Sequence, residues 1–166
     1  MNLILKRKSI RKYLDEDITS CHVENLLRAG MQAPSACNQQ AWEFIVIEDD
    51  EDKLAISKMH KFAKPAAKAS KLVVVLGNLK RAKIKSMIDQ DLGACCENML
   101  LQATYDGLGA VWLGFHPIED RCQKIRKYLD IPDYCIPFAV ICVGYPAADN
   151  QVKIRFDESK IHYGRY

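Results

Sequence analysis

The sequence contains no Cys-x-x-Cys pair, and His22, His60, His116 and His162 are scattered rather than grouped at a ligand spacing. Closed zinc sites need four ligands in recognisable pairs, so no metal site is expected. The seven cysteines are odd in number and mostly lie in apolar runs, which fits reduced, buried thiols rather than a disulfide framework. No apolar stretch approaches the roughly 20 residues that span a bilayer. The opening Met1-Asn2-Leu3-Ile4-Leu5-Lys6-Arg7-Lys8 places apolar residues before its charges, the reverse of a secretory signal, and a cytoplasmic protein is expected. Charge of one sign does not dominate: 24 Lys and Arg face 21 Asp and Glu, for a net charge of +3. Nucleic-acid binding needs aromatics interleaved with basic residues on one surface, whereas Phe44 and Trp112 sit in apolar segments. With only 8 Gly and 6 Pro in 166 residues there is no linker, repeat or low-complexity tract. One domain spanning residues 1–166 is expected, long enough to bury its own core.

What is present is an alternation of two hydrophobic periods, which indicates a mixed α/β domain. Short, β-branched runs predict strands at Glu43 to Ile47, Leu72 to Leu76, Ala110 to Leu113 and Phe138 to Val143. Their near-continuous apolar character predicts a sheet covered on both faces. Val23, Leu26, Leu27, Gly30 and Met31 form a helical stripe behind Thr19 and Ser20, either of which can cap it. Leu92, Cys95, Cys96, Met99 and Ala103 form a second stripe, which Ala94, Leu100 and Leu101 widen until little polar face remains, so this helix is buried. Ile118, Cys122, Ile125 and Leu129 form a third, opened by Pro117 at a first-turn position. Residues 77–89 read as a surface connection or short helix. The tail after Pro146 carries Ile154, Phe156, Ile161, Tyr163 and Tyr166 without periodic structure, and so needs a surface to lie on.

Four segments can carry chemistry. Arg7-Lys8-Ser9-Ile10-Arg11-Lys12 offers guanidinium and hydroxyl groups suited to phosphate oxygens. Ala33-Pro34-Ser35-Ala36-Cys37-Asn38-Gln39-Gln40-Ala41-Trp42 is a loop rich in amides able to read a heteroaromatic edge; Ser35 lacks the His and acid that would make it a nucleophile. Gly107-Leu108-Gly109-Ala110-Val111-Trp112-Leu113-Gly114 lacks the G-x-G-x-x-G spacing and precedes a strand, which argues against a nicotinamide-binding Rossmann unit. Lys153-Ile154-Arg155 adds a basic pair in the tail.

In this order the four segments resemble the nitroreductase family of FMN-dependent oxidoreductases, over almost the whole chain. The family opens with Arg-x-Ser-x-Arg/Lys, as in Arg7 to Arg11, and continues with Ala-Pro-Ser-x-x-Asn-x-Gln-Pro-Trp, as in Ala33 to Trp42 with Ala41 for the second Pro. A buried helix like Asp91 to Ala103 then leads to Gly-Leu-Gly and the Val111 to Gly114 segment, and the Phe138 to Gly144 strand with the late Lys153-x-Arg155 completes the pattern.

The resemblance implies an α+β fold: an α/β/α sandwich with a central, mostly antiparallel sheet flanked by helices, in an intertwined homodimer whose tail (about 147–166) extends onto the partner. It implies FMN at the dimer interface, with Arg7, Lys8, Ser9 and Arg11 on the phosphate and ribityl chain and Lys153 and Arg155 closing on the same phosphate. Pro34, Ser35, Asn38 and Gln40 would reach the flavin of the other subunit. Trp112, Leu113 and Gly114 would lie against the isoalloxazine, a backbone N–H near its N5. The implied reaction takes hydride from NADH or NADPH and passes electrons to a small acceptor such as a nitroaromatic, quinone or flavin. No general acid or base is nominated. A non-catalytic FMN carrier or sensor, and a same-fold enzyme for dehalogenation or enone reduction, are the alternatives. Only residues 77–90 separate the second strand from the buried helix, too few for the long helical excursion that covers the flavin in some relatives, so an open pocket with loose acceptor choice is expected. Lys80, Arg81, Lys83 and Lys85 in that connection read as solvated surface, with a border of the pocket as the alternative. Cys95-Cys96 reads as core packing rather than a redox pair.

Overall fold

The computed structural model describes residues 2–148, 151–152 and 155–166. Four strands form one sheet in the order β1-β2-β4-β3: β1 (Trp42–Ile47), β2 (Lys71–Asn78), β3 (Gly109–Gly114) and β4 (Cys135–Gly144). Every pairing between them is antiparallel. The two central strands, β2 and β4, are buried almost end to end, as their unbroken apolar runs predict. Alternation sends Val73, Val75, Ala110, Ala139, Ile141 and Val143 into one core layer, and Leu72, Val74, Val111, Leu113, Val140 and Cys142 into the other.

The first layer is closed by α2 (Ser20–Met31) and α4 (Ile88–Tyr105). Thr19 caps α2: its Oγ1 accepts from the His22 N–H at 3.3 Å while His22 Nδ1 accepts from the Thr19 N–H. Helix α4 buries Leu92, Cys95, Cys96, Met99, Leu100 and Ala103 on one side of its axis, while Ala94 and Leu101, expected to widen the buried stripe, are only half-buried. It ends where Gly107 takes φ +75°, the Leu108 N–H bonding Ala103 O and the Gly107 N–H bonding Thr104 O, a glycine-dependent stop that turns the chain into β3.

The opposite layer is closed by α3 (Asp50–Ser57) and α5 (Glu119–Tyr128). Helix α3 has no apolar stripe of note. It is written instead in its cap: Asp49 Oδ1 accepts from the Glu51 and Asp52 N–H groups, and Asp50, Glu51 and Asp52 crowd the positive end of the helix dipole. Helix α5 begins later than predicted. Phe115 to Ile118 closes a turn, with the Ile118 N–H on Phe115 O at 2.9 Å, and Pro117 stands ahead of the N-cap Ile118 rather than in the first turn. No helix among the described residues is long and apolar enough to cross a membrane.

A short helix, α1 (Leu3–Lys6), precedes an extended segment that is fastened to the outer edge of the sheet. Ser9 bridges Ala110 in parallel and Tyr13 bridges Pro146 in antiparallel fashion. The Ile10 N–H bonds Ala110 O at 2.9 Å, the Leu14 N–H bonds Tyr145 O, and the Tyr13 hydroxyl donates to Ile10 O. This approach requires a glycine at 109, where a Cβ would come within 2.6 Å of Ile10 Cγ2 and 2.8 Å of its Cβ. Residues 155–166, by contrast, are exposed throughout.

Gly109→Ala is expected to destabilise the protein by about 1–3 kcal/mol in urea unfolding, because the branched Ile10 has no rotamer that clears the new methyl; an unchanged midpoint would show that the segment is free to yield. Burial pushes the Cys95 thiol up to about 12 and Cys96 higher still, while Cys21 and Cys37 are exposed. Mild alkylation of the native protein is therefore expected to label Cys21 and Cys37 and spare Cys95 and Cys96, as read by peptide mass mapping. Since the buried thiols titrate above an ordinary thiol, their contribution to stability is present at neutral pH and is lost as the pH rises past the ordinary thiol range.

Candidate functional site

The basic opening segment lies along the end of β3. Arg7 is half-buried, its Nε 3.3 Å from Glu97 Oε1 on α4, which holds one guanidinium face in place. Lys8 lines a cavity of about 460 Å³ together with Lys6, Ile10, Thr104, Gly107, Leu108, Pro146, Ala148 and Val152. Ser9 is half-buried in its bridge to Ala110, and Arg11 is exposed. The fold thus gathers Arg7, Lys8, Ser9 and Arg11 at one end of an open strand edge.

That edge is set by register. Ala110 O is turned outward to the Ile10 N–H, so alternation turns the backbone groups of Trp112 and Gly114 the same way and those of Val111 and Leu113 toward β4. The Gly114 carbonyl accepts from Arg121 Nη1 at 2.8 Å, and nothing lies within 4 Å of where a Gly114 Cβ would stand. The Trp112 ring is half-buried 5.5 Å from the Phe138 ring and packs over Gly93 of α4. Leu113 lies between Trp112 and Gly114, its side chain buried in the α3/α5 layer and its backbone paired with β4.

The loop from Ser35 to Gln40 is built on a carboxylate that the sequence reading passed over. Asp91, buried in the first turn of α4, accepts the Ala36 N–H at 2.9 Å on one oxygen and the Gln39 amide at 2.5 Å on the other. Gln39 is likewise buried, and its amide also holds both backbone groups of Ile84. Cys37, Asn38 and Gln40 all take positive φ, 49°, 50° and 46°. Such backbone is costly for L residues and is maintained here by the Asp91 and Gln39 bonds. The result points Gln39 inward and leaves Pro34, Asn38 and Gln40 exposed, with Ser35 Oγ accepting from the Gln40 N–H and Asn38 Oδ1 from the Gln40 amide.

Loop and basic segment do not converge within one protomer. They are anchored to α4 at Asp91 and Glu97, six positions apart, hence about 9 Å along the axis and about 240° around it. Of the tail pair, Arg155 is exposed and Lys153 lies outside the described residues. Two further groups stand near the end of β3 without having been singled out: Arg121, on Gly114 O, and His116, whose Nε2 is 3.3 Å from Asp89 Oδ2. Neither sits in a motif with distinctive spacing.

Comparison with known proteins matches the family model described as "Nitroreductase family" to residues 4–84 and 61–145. A protein of Archaeoglobus fulgidus, provisionally named an NADH dehydrogenase/NAD(P)H nitroreductase, is 38% identical over 98% of this chain and 95% of its own. A crystal structure from Clostridium acetobutylicum, of a protein provisionally named an NADH oxidase, superposes with a TM-score of 0.97 at 43% identity, covering 99% of this chain and 100% of that one. A nitroreductase-named protein of Desulfovibrio desulfuricans, solved in complex with FMN, superposes with a TM-score of 0.86 at 28% identity, covering 99% and 95%.

Asp91→Ala strands two buried donors and releases the loop. It is expected to cost about 3 kcal/mol in chemical unfolding and to speed amide exchange at Ala36; protection of that amide unchanged in the variant would mean the loop is held by something else.

Proposed function

Since this chain belongs to the nitroreductase family, we propose that it is an FMN-dependent oxidoreductase that takes hydride from NADH or NADPH and reduces a small acceptor such as a nitroaromatic, quinone or flavin. The observation that carries this reading is the outer edge of β3, where Trp112 and Gly114 present their backbone beside open space while the Ser9–Ala110 bridge fastens a basic segment to the same edge. FMN fits those residues: cations and a hydroxyl for its phosphate at one end, and outward backbone groups for the edge of its ring further along. When bound, FMN supplies the hydride-accepting N5 of the reaction. Arg7, Lys8, Ser9 and Arg11 hold the phosphate and ribityl chain, with Lys153 and Arg155 closing from the tail. Trp112 and Gly114 orient the ring, and Arg121 fixes the Gly114 carbonyl so that the edge keeps its direction.

The site is completed by a second copy of the chain. Pro34, Ser35, Asn38 and Gln40 stand on a different side of α4 from Arg7, so a single flavin meets both groups only across a dimer interface. Two surfaces support that assembly. Leu3, Leu101 and the exposed Tyr105 line a cavity bounded by α1, α2 and α4, with Ile4, Leu5 and Met31 also exposed, and the tail leaves Phe156, Tyr163 and Tyr166 uncovered. One domain over residues 1–166, with its tail laid on the partner, is the arrangement that covers them.

Purified protein is expected to show a flavin absorption spectrum that bleaches on anaerobic addition of NADH or NADPH and returns with a nitroaromatic or quinone. A flavin that binds but is not reduced would indicate a carrier or sensor, and no binding of added FMN would refute the proposal. Arg11 is exposed, so Arg11→Gln is expected to leave stability unchanged within about 0.5 kcal/mol. The same variant should weaken FMN at least about ten-fold in a fluorescence titration, the worth of a charge-assisted phosphate contact. Riboflavin, which lacks the phosphate, should bind both proteins alike; equal losses for the two ligands would remove Arg11 from the phosphate site.

A further inference from the structure

The connection between β2 and α4 is not a loose surface strand. Its backbone is tied down at both ends: Arg81 and Ala82 N–H groups bond Asn78 O, Ala82 is buried, and Ile84 is clamped through both its N–H and its C=O by the side chain of Gln39. Gln39 is the inward-facing member of the Ser35–Gln40 loop, whose outward members are Asn38 and Gln40. The clamp therefore fixes residues 83 to 85 at the rim of whatever that loop contacts.

Two of the four cations in this connection are already engaged. Arg81 Nε lies 3.2 Å from Glu43 Oε1, and Lys80 Nζ sits 3.7 Å over the Tyr134 ring. Lys83 and Lys85 are exposed and make no hydrogen bond, ion pair or ring contact with any described residue. The nearby acids are committed elsewhere, Asp89 facing His116 and Asp91 holding the loop. Ile84 between the two lysines leads into the short 3-10 turn Lys85–Met87, so the clamp on its backbone fixes the chain on which both Lys83 and Lys85 stand. The outcome is a pair of unneutralised ammonium groups, held in register by a buried side chain, beside a loop that faces outward.

We propose that Lys83 and Lys85 recognise the phosphate groups of the nicotinamide donor and favour the donor that carries the additional 2′-phosphate. This rests on the flavin oxidoreductase reading above, in which the loop delivers its rim to the flavin of the partner subunit. Of the two substrates that exchange at such a site, the dinucleotide is the one that must be a polyanion. With its nicotinamide over the flavin, its phosphates fall outside the ring pocket, where compact, flexible point charges suit them and no rigid fork is required. Cations placed there raise the encounter rate and lower KM without touching the reacting atoms, and their effect is screened by salt.

The test is the Lys83→Gln/Lys85→Gln double variant, loaded with FMN and compared with the parent on NADPH, NADH and N-benzyl-1,4-dihydronicotinamide, a hydride donor without phosphate. Binding of redox-inert 2′,5′-ADP is measured alongside by calorimetry. The KM for NADPH is expected to rise about five-fold at low salt, as the loss of two exposed charges allows, that for NADH less, and that for the phosphate-free donor not at all. kcat and FMN affinity should be unchanged, the difference should vanish at high salt, and 2′,5′-ADP should bind the parent several-fold more tightly than the variant. Equal behaviour of parent and variant toward NADPH and 2′,5′-ADP, or the same loss for the phosphate-free donor, would overturn the assignment while leaving a working flavin enzyme. If no donor reduces the flavin, the oxidoreductase reading fails instead, and 2′,5′-ADP binding still decides whether these lysines form a phosphate site.

Discussion

A buried carboxylate is tolerable only where hydrogen-bond donors are supplied to it, and Asp91 at the head of α4 obtains both of its donors from a single loop. Left unpaired, such a group would cost several kcal/mol, more than most surface loops contribute in total. The Ser35–Gln40 loop is thereby bound to one conformation, and three left-handed residues follow from it. The conformation in turn decides which amides face outward, Asn38 and Gln40, and which turns in, Gln39. Through Gln39 the same constraint reaches the next connection and fixes Ile84 with its flanking lysines. Loop, rim and helix are one unit with a charge at its centre.

The other half of the site depends on the edge of a sheet rather than on a charge. An unprotected edge is a hazard for pairing with other chains, and this protein covers part of β3 with its own opening segment while leaving Trp112 and Gly114 open. The covering segment can approach only because residue 109 has no side chain. Its basic residues are thus delivered by backbone bonding, and Arg7 is pinned again by Glu97. Cations so placed need little reorganisation to meet a phosphate, which is where preorganised electrostatics is most effective.

Helix α4 is the element on which the proposed dimer turns. It packs one broad side on the sheet and on α2, and carries the two halves of the candidate site on different sides of its axis. A helix used in this way separates the groups it positions. In the proposed dimer a second copy of the helix brings them to one ligand, and the apolar residues Ile4, Met31, Tyr105, Phe156 and Tyr163 are exposed.

The sequence alone determined the layers. Strands at 43–47, 72–76, 110–113 and 138–143, each one to three residues short at one or both ends, and the helices near residues 20, 90 and 120 are legible because burial of apolar side chains imposes a period, and the period survives in one dimension. Helix α3 escaped because its signal is a capping aspartate and an acidic first turn, with Ile56 the single fully buried apolar side chain inside it. The family motifs were legible too, since each is contiguous. The tertiary structure decided which members of those motifs face the site. It gave Leu113 to the core and Gln39 to the interior, and it recruited Asp91, Arg121 and Ile84 from positions with no distinctive spacing. A buried polar group is defined by hydrogen-bond partners that lie 45 or 55 residues away in the chain, and no local pattern of residues records that meeting.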